Sequence, residues 1–255
     1  DIIIQVEAPL GFESFDKIIV SIMAKKVASG DTHLVLDIPV GPTLKIQHYK
    51  DAEVIAKKFT YLAEKFHINV AIDINETRQN AGRGIGPVLE ARDVLQVLEQ
   101  HKDRPLALEA KALRLAGKLL SLCFADMPGK KEVIGEDVAR DILTSGRALA
   151  KMRDIIKTQG GDASVNSKDL APGKYRQNIS THHAGKINGM NNQQIAIICK
   201  ILGCPTDKKA GMYLTRKLDE RVDKGDILCM LYASDPYRLK EAGETMKNMP
   251  VYSVE

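Results

Sequence analysis

The order of two apolar runs and one amphipathic segment constrains the fold of this chain most strongly. Residues 33–38 and 68–74 are strand-like and mostly apolar, and residues 50–66 between them carry apolar side chains at helical spacing. Parallel strands are buried on both faces, so they form nearly continuous apolar runs, and they need a crossover connection, usually a helix. The order therefore predicts a parallel βαβ unit in an α/β fold.

The remaining segments extend this interpretation along the chain. Further helical patterns occupy four segments, namely 14–30, 87–99, 105–125 and 134–157. The stretch 158–175 is rich in Gly, Ser, Asp and Asn, which is typical of a loop or domain boundary. Beyond it, short strand-like runs surround one helical pattern at about 192–203. We predict part of a mixed or parallel sheet with flanking helices, followed by a smaller C-terminal α+β module.

Charge and hydropathy exclude some classes of partner. The 37 basic residues are nearly balanced by 33 acidic ones, and no block of like charge stands out. Nucleic-acid binding is therefore not expected. No run of 18 apolar residues occurs, so no membrane span is predicted either.

Cysteine and histidine positions give no metal site. Cys123, Cys199, Cys204 and Cys229 form no CxxC pair and have no histidine at zinc spacing. We expect reduced thiols and a cytoplasmic protein. The adjacent His182 and His183 would point in different directions, so joint metal binding is not predicted.

The chain begins with Asp1, followed at once by the strand-like residues 2–6. Natural chains rarely start inside an element without Met or a leader. We therefore expect this sequence to be a fragment of a longer protein.

One polar stripe on the first predicted helix could carry chemistry. Lys17, Ser21 and Lys25 lie four residues apart, opposite an apolar face. A hydroxyl and an ammonium group one turn apart can together hold a planar heterocycle. The same spacing also fits the solvated face of a surface helix, and local sequence leaves both interpretations open.

Three further features border predicted elements. Glu13 stands just before the first helix, where it is either a helix-start carboxylate or, if burial raises its pKa, a proton donor. Lys45 follows the first strand, where α/β proteins bind ligands, but a solvent-facing lysine fits equally well. The Gly-rich bend at 80–86 lacks the GxGxxG spacing, so its glycines should serve close backbone approach to another segment, a phosphate or an ion.

Several segments, in the same order along the chain, resemble the thymidine phosphorylase family, and in particular its archaeal branch, the AMP phosphorylases. They cover nearly the whole chain: residues 21–30 (SIMAKKVASG), 34–41 (LVLDIPVG), 82–92 (GRGIGPVLEAR), 203–214 (GCPTDKKAGMYL), 222–226 (VDKGD) and 231–233 (LYA).

The resemblance implies a small helical lobe and a large α/β lobe. Residues 1–30 would be a returning segment and helix of the helical lobe, and residues 31–160 part of the α/β lobe. A linker at 161–175 would lead to the C-terminal α+β module at 176–255. Large homo-oligomers, dimeric or higher, are implied as well.

The resemblance also implies the reaction and its residues. AMP, or CMP or UMP, would react with inorganic phosphate as co-substrate, without a cofactor or metal, to give free base and ribose 1,5-bisphosphate. Ser21 matches a base-binding serine, Lys25 a base-contacting lysine and Lys45 a substrate-binding lysine. Glu13 stands where the AMP branch has an aspartate that protonates the base.

Three departures from the family pattern qualify these expectations. Glu13 is one bond longer than the family aspartate, and Val6 replaces an arginine that pyrimidine-specific members use for the base. The family's Gly-rich phosphate loop is absent from this sequence, so the chain alone is expected to be inactive. The alternatives are a pyrimidine nucleoside phosphorylase and a non-catalytic oligomerisation core of such an enzyme.

Overall fold

A computed structural model describes residues 15–255 and divides the chain into two compact units. The first unit comprises Asp1–Glu76, described from Phe15 onward, and Leu115–Gly135. The second comprises Thr77–Arg114 and Glu136–Glu255. The segment predicted as a linker, 161–175, lies within the second unit, and the assignment to lobes of a longer protein stays a prediction.

The predicted βαβ unit is present in the first unit. Strand β1 (His33–Val40) and strand β2 (Asn69–Glu76) pair in parallel over their whole length, and helix α2 (Tyr49–Lys65) connects them. Helix α1 (Phe15–Ser29) precedes them and buries Ile19 and Met23 in the same apolar core. The α/β fold predicted from these runs is confirmed.

The end of helix α4 (Leu106–Ala125) follows the two strands within the first unit. Lys118 contacts Asp73 in the middle of β2. Asp126, just after the helix, accepts hydrogen bonds at 2.9 Å from Asn69 Nδ2 and contacts His33 Nε2 at 2.9 Å, at the start of both strands. The later residue of the helical segment contacts the earlier residue of β2, so the end of α4 runs antiparallel to the strands. Eight helical residues span about 12 Å and four strand residues about 13 Å, so the two contacts are the same distance apart on both elements.

The second unit contains two antiparallel sheets. One has the strand order β3 (Gly84–Ile85), β6 (Gly211–Leu214), β8 (Ile227–Ala233) and β4 (Tyr175–Ser180). The other has the order β7 (Arg221–Val222), β5 (Gly185–Met190) and β9 (Tyr252–Val254). Its helices are α3 (Pro87–Leu98), the start of α4, α5 (Gly135–Thr144, from its second residue), α6 (Arg147–Thr158), α7 (Asn192–Leu202) and α8 (Pro236–Asn248).

The core of the second unit lies among β6, β8, α7 and α8. The side chains of Ile198, Leu202, Met212, Leu214 and Leu231 are fully buried there. Strand β8 is central because it pairs with β4 on one side and with β6 on the other.

Two secondary-structure expectations were wrong. The single helix predicted at 134–157 is two helices, because Gly146 adopts a left-handed conformation with φ 79° and interrupts the helical hydrogen bonding. The module has a second helix, α8, whose start is marked by the N-cap Asp235 and by Pro236 at the first position. Across residues 15–255, no helix combines the length and apolar character needed to cross a membrane.

Candidate functional site

Helix α1 presents two of the predicted substrate-binding residues. Ser21 is half-buried and Lys25 is exposed, one turn apart, while Ile19 and Met23 on the opposite face enter the core. The helix forms because its apolar residues recur at three- and four-residue spacing, and it ends at Gly30, whose φ of 73° closes the last turn. Glu13 and Val6 lie outside the described residues.

Lys45 lies in a closed turn after β1. Gly41 N–H donates to Ile46 O at 3.0 Å, and Leu44 N–H donates to Gly41 O at 3.1 Å, so the turn has a defined backbone. The Lys45 side chain is exposed on this turn. The structure therefore places Ser21, Lys25 and Lys45 in one compact unit, with Lys45 beyond the carboxyl end of a parallel strand.

A polar network that the sequence patterns did not predict lies on the strand pair itself. Asp37 and Asp73 are register partners, so their side chains share one face of the sheet. Asn75 Nδ2 donates to Asp37 Oδ1 at 2.6 Å and to Asp73 Oδ2 at 3.3 Å. Lys118 of α4 forms an ion pair with the other oxygen of Asp73.

This network satisfies a buried carboxylate. Asp73 is only 5% exposed, and a buried charge without partners would be strongly destabilising. The ammonium of Lys118 and the amide of Asn75 supply those partners. The sequence signal for this network was the presence of an aspartate in each of two otherwise apolar strands. Nothing in the local sequence of α4 indicated that Lys118 would contact Asp73.

The Gly-rich bend is held by the second unit's own side chains. The Asp93 carboxylate accepts hydrogen bonds from Arg83 N–H at 2.6 Å and Gly84 N–H at 2.7 Å. A Cβ on Gly82 would approach Asp93 Oδ2 to 2.7 Å, and a Cβ on Gly86 would approach Ala210 O to 2.4 Å. These glycines therefore permit close approach of the bend to other segments of the chain.

Lys217 clamps the same bend from the C-terminal module. Its Nζ donates to Asn80 O at 2.5 Å and to Gly82 O at 2.6 Å. Burial, with a smaller contribution from the Arg83 guanidinium, lowers the pKa of Lys217 to about 8. The clamp thus contains an ammonium group that titrates well below the usual range of lysine.

The two adjacent histidines lie in a hydrogen-bonded turn. His182 and His183 lie in the turn between β4 and β5, where Thr181 Oγ1 donates to His183 O at 2.8 Å. His183 Nε2 lies 3.2 Å from Val254 O. Within the described part of the chain, no group of three or more His, Cys, Asp or Glu side chains is arranged to hold a metal ion.

Similarity to known proteins covers the whole chain. A family model described as "Pyrimidine nucleoside phosphorylase C-terminal domain" matches residues 186–253. A "Putative thymidine phosphorylase" of Methylococcus capsulatus is 40% identical over 254 residues, which are 100% of this chain and 48% of that protein. Over its whole length the chain is therefore similar to proteins of the thymidine phosphorylase family.

Two archaeal members of the family carry a different name. The "AMP phosphorylase" of Methanocaldococcus jannaschii is 38% identical over 95% of this chain and 47% of that protein. That of Methanococcus vannielii is 38% identical over 100% of this chain and 50% of that protein. The chain thus spans about half the length of the curated relatives it matches, and relatives with both names are similar to a nearly equal degree.

Proposed function

We propose that a protein containing this chain, at the length of its relatives, is a pentosyltransferase that cleaves AMP with inorganic phosphate into adenine and ribose 1,5-bisphosphate. CMP and UMP are further proposed substrates. The observation that carries this proposal is the 38% identity to an AMP phosphorylase over all 255 residues of the chain. The absence of an arginine at Val6 favours the nucleotide over a pyrimidine nucleoside.

The proposed mechanism assigns each site residue a separate task. Departure of the base leaves positive charge on the sugar, which the phosphate dianion stabilises and then captures. Ser21 and Lys45 would bind the base, and Lys25 would stabilise negative charge on the base or phosphate. Glu13 would protonate the departing base, which makes it a better leaving group.

The strand network supports this assignment physically. Asp73, held by Lys118 and Asn75, fixes the strand pair from which the Lys45 turn extends. The hydrogen-bonded turn defines the backbone position of Lys45, so that substrate binding has to order only its side chain. Precise placement of this kind contributes strongly to catalysis.

Phosphate dependence tests the reaction class. A protein that contains this chain and has the full length of its relatives should release adenine from AMP only in the presence of phosphate. Chromatography of the base and detection of ribose 1,5-bisphosphate measure the reaction. Release at the same rate without phosphate would contradict phosphorolysis. The 255-residue chain alone is expected to release no adenine.

Matched variants test the site. Lys45→Ala should lower kcat/KM for AMP by about tenfold to a thousandfold, since a charged contact contributes about 1.5–4 kcal/mol. Ser21→Ala should have a smaller effect, about tenfold. Lys50→Ala and Ser29→Ala change exposed residues near the same elements and should leave kcat/KM unchanged. An unchanged value for Lys45→Ala would remove that residue from the site.

A second candidate is phosphorolysis of a pyrimidine nucleoside. It is favoured by the name of the Methylococcus capsulatus relative and by the description of the matching family model. Thymidine or uridine turnover that exceeds AMP turnover in the same preparation would select it. Ser21 and Lys25 would then be expected to dominate binding of the base.

The similarity to these relatives is also the basis for a proposed location, oligomeric state and co-substrate. We propose that it acts in the cytoplasm as a homo-oligomer and uses phosphate as co-substrate without an organic cofactor. Sizing chromatography with light scattering tests the oligomer. Large assemblies without nucleotide binding would instead support a purely structural role for this chain.

A further inference from the structure

Two cysteines occupy the paired positions of a helix-ending motif. Helix α7 ends at Gly203, which has φ 120° and whose N–H donates to Lys200 O at 3.0 Å. The N–H of Cys204 donates to Cys199 O at 2.9 Å. These two bonds define a Schellman motif, in which the residue after the glycine packs on the residue five positions earlier.

The same motif brings side chains together elsewhere in this molecule. At the end of α1, the corresponding residues Lys26 and Asp31 form an ion pair at 3.4 Å. At the end of α6, a Cβ on Gly161 would lie 2.9 Å from Ile156 Cγ2. The backbone geometry alone therefore places the side chains of Cys199 and Cys204 against each other.

The two thiols interact directly. The hydrogen bond between them raises the pKa of Cys199, with burial acting in the same direction, and it lowers the pKa of Cys204. Cys204 is half-buried and Cys199 is buried beneath it. The pair thus consists of one accessible thiol with the greater thiolate character and one sheltered neighbour.

The other two cysteines have different surroundings. Cys229 is fully buried in strand β8, and burial raises its pKa to about 12. Cys123 is half-buried in the first unit, whereas the other three cysteines lie in the second. All four cysteines are free thiols in this structure.

We propose that Cys199 and Cys204 form a redox-responsive site that closes to an intramolecular disulfide when it reacts with a peroxide. The thiolate of Cys204 attacks one peroxide oxygen, and the O–O bond breaks to give Cys204 sulfenic acid and, after proton uptake, water. Cys199 then loses its proton and attacks the Cys204 sulfur, which releases a second water. Two thiols are oxidised by two electrons in total, and one hydrogen peroxide is reduced.

Closure of this disulfide changes a contact beside the Gly-rich bend. In the reduced form, Cys204 Sγ donates to Ala210 O at 3.1 Å. A Cβ on Gly86 would lie only 2.4 Å from that oxygen and 3.0 Å from the Cys204 sulfur. Oxidation removes the S–H donor, so Ala210 O, which lies beside Gly86 at the start of α3, loses this hydrogen bond.

Tryptic mapping gives a direct test, because Lys200 lies between the two cysteines. Trypsin separates residues 187–200 from residues 201–208, and only a disulfide keeps the two peptides joined. The whole chain is titrated with hydrogen peroxide, quenched in acid with N-ethylmaleimide and digested without reductant. We expect the joined peptides to be the main oxidation product, lost on treatment with dithiothreitol, while Cys123 and Cys229 carry the maleimide.

Variants and isotope mixing define the opposing results. Cys199→Ser and Cys204→Ser should each abolish the joined species, whereas Cys123→Ser should leave it unchanged. Oxidation of a mixture of 15N-labelled and unlabelled chains should give joined peptides of a single label. Three results with the unmodified chain would each overturn the proposal. They are joined peptides of mixed label, preferential oxidation of Cys123, and overoxidation of Cys204 without linkage.

Discussion

The two compact units differ in how they bury their strands. In the described part of the first unit, β1 and β2 form a two-stranded parallel pair in which most residues are half-buried, and a charged network lies on one face. In the second unit, the central strand β8 pairs with one strand on each side, and the core of the unit is apolar. Parallel pairs normally lie buried within larger sheets, whereas this half-buried pair carries charged groups on the sheet itself.

The proposed substrate-binding residues follow the same division of the chain. The candidate substrate residues Ser21, Lys25 and Lys45 all lie in the first unit, where strand ends and polar groups remain accessible. The second unit contributes well-packed layers and the clamped Gly-rich bend.

The largest expected effect comes from truncating the core of the second unit. Leu231→Ala should reduce the free energy of unfolding by about 3 kcal/mol, because it leaves a cavity among fully buried side chains. Leu36→Ala, in the half-buried strand β1, should reduce it by about 1 kcal/mol. Denaturant unfolding with hydrogen exchange resolved by unit measures both, and equal losses would break the comparison.

A pH dependence should follow from Lys217 in the second unit. Its pKa is about 8 in the folded chain and about 10.4 for an unperturbed lysine, so the unfolded state binds more protons between these values. Stability from this group should therefore rise with pH, by about 2 kcal/mol between pH 7.5 and 9.5. Unfolding of the parent chain compared with Lys217→Met across this range isolates the effect, and a parallel pair of profiles would contradict it.

In the first unit, loss of the ion pair on β2 should have a moderate effect. Lys118→Met leaves the buried Asp73 carboxylate without its cation and should destabilise the unit by about 1–2 kcal/mol. Partial exposure of Lys118 to water limits the loss. Lys131→Met, at an exposed position of the same unit, is the matched control. Hydrogen exchange at β2 should accelerate only in the first variant.

The smallest effects should appear at helix starts. Asp235 caps α8 by accepting a hydrogen bond from Tyr237 N–H at 2.8 Å, whereas His48 provides no side-chain cap for α2. Asp235→Ala should lower stability by about 1 kcal/mol, and His48→Ser should raise it by about 0.5 kcal/mol. Thermal unfolding measures both shifts, and a loss of stability in His48→Ser would show that its imidazole has another structural role.

Much of the fold could be predicted from local patterns. The apolar runs at 33–38 and 68–74 give β1 and β2 because strand burial imposes a continuous apolar pattern. The Asp235–Pro236 start signal of α8 was also present, but the helix has a weakly patterned sequence between strands. The break at Gly146 was missed because an isolated glycine within a helical pattern does not reveal its φ angle.

The sequence by itself determined the resemblance to the thymidine phosphorylase family, because matching segments occur in the same order along the chain. It also determined most of the elements and the positions of Ser21, Lys25 and Lys45 on helix and turn, because these depend on residues near one another in the chain. Only the tertiary structure decided that Lys118 neutralises Asp73, that Lys217 clamps the Gly-rich bend and that Cys199 meets Cys204. The first two contacts join residues far apart in sequence, and the third depends on the left-handed backbone of Gly203. Local spacing cannot encode such contacts, since packing and backbone geometry determine them together.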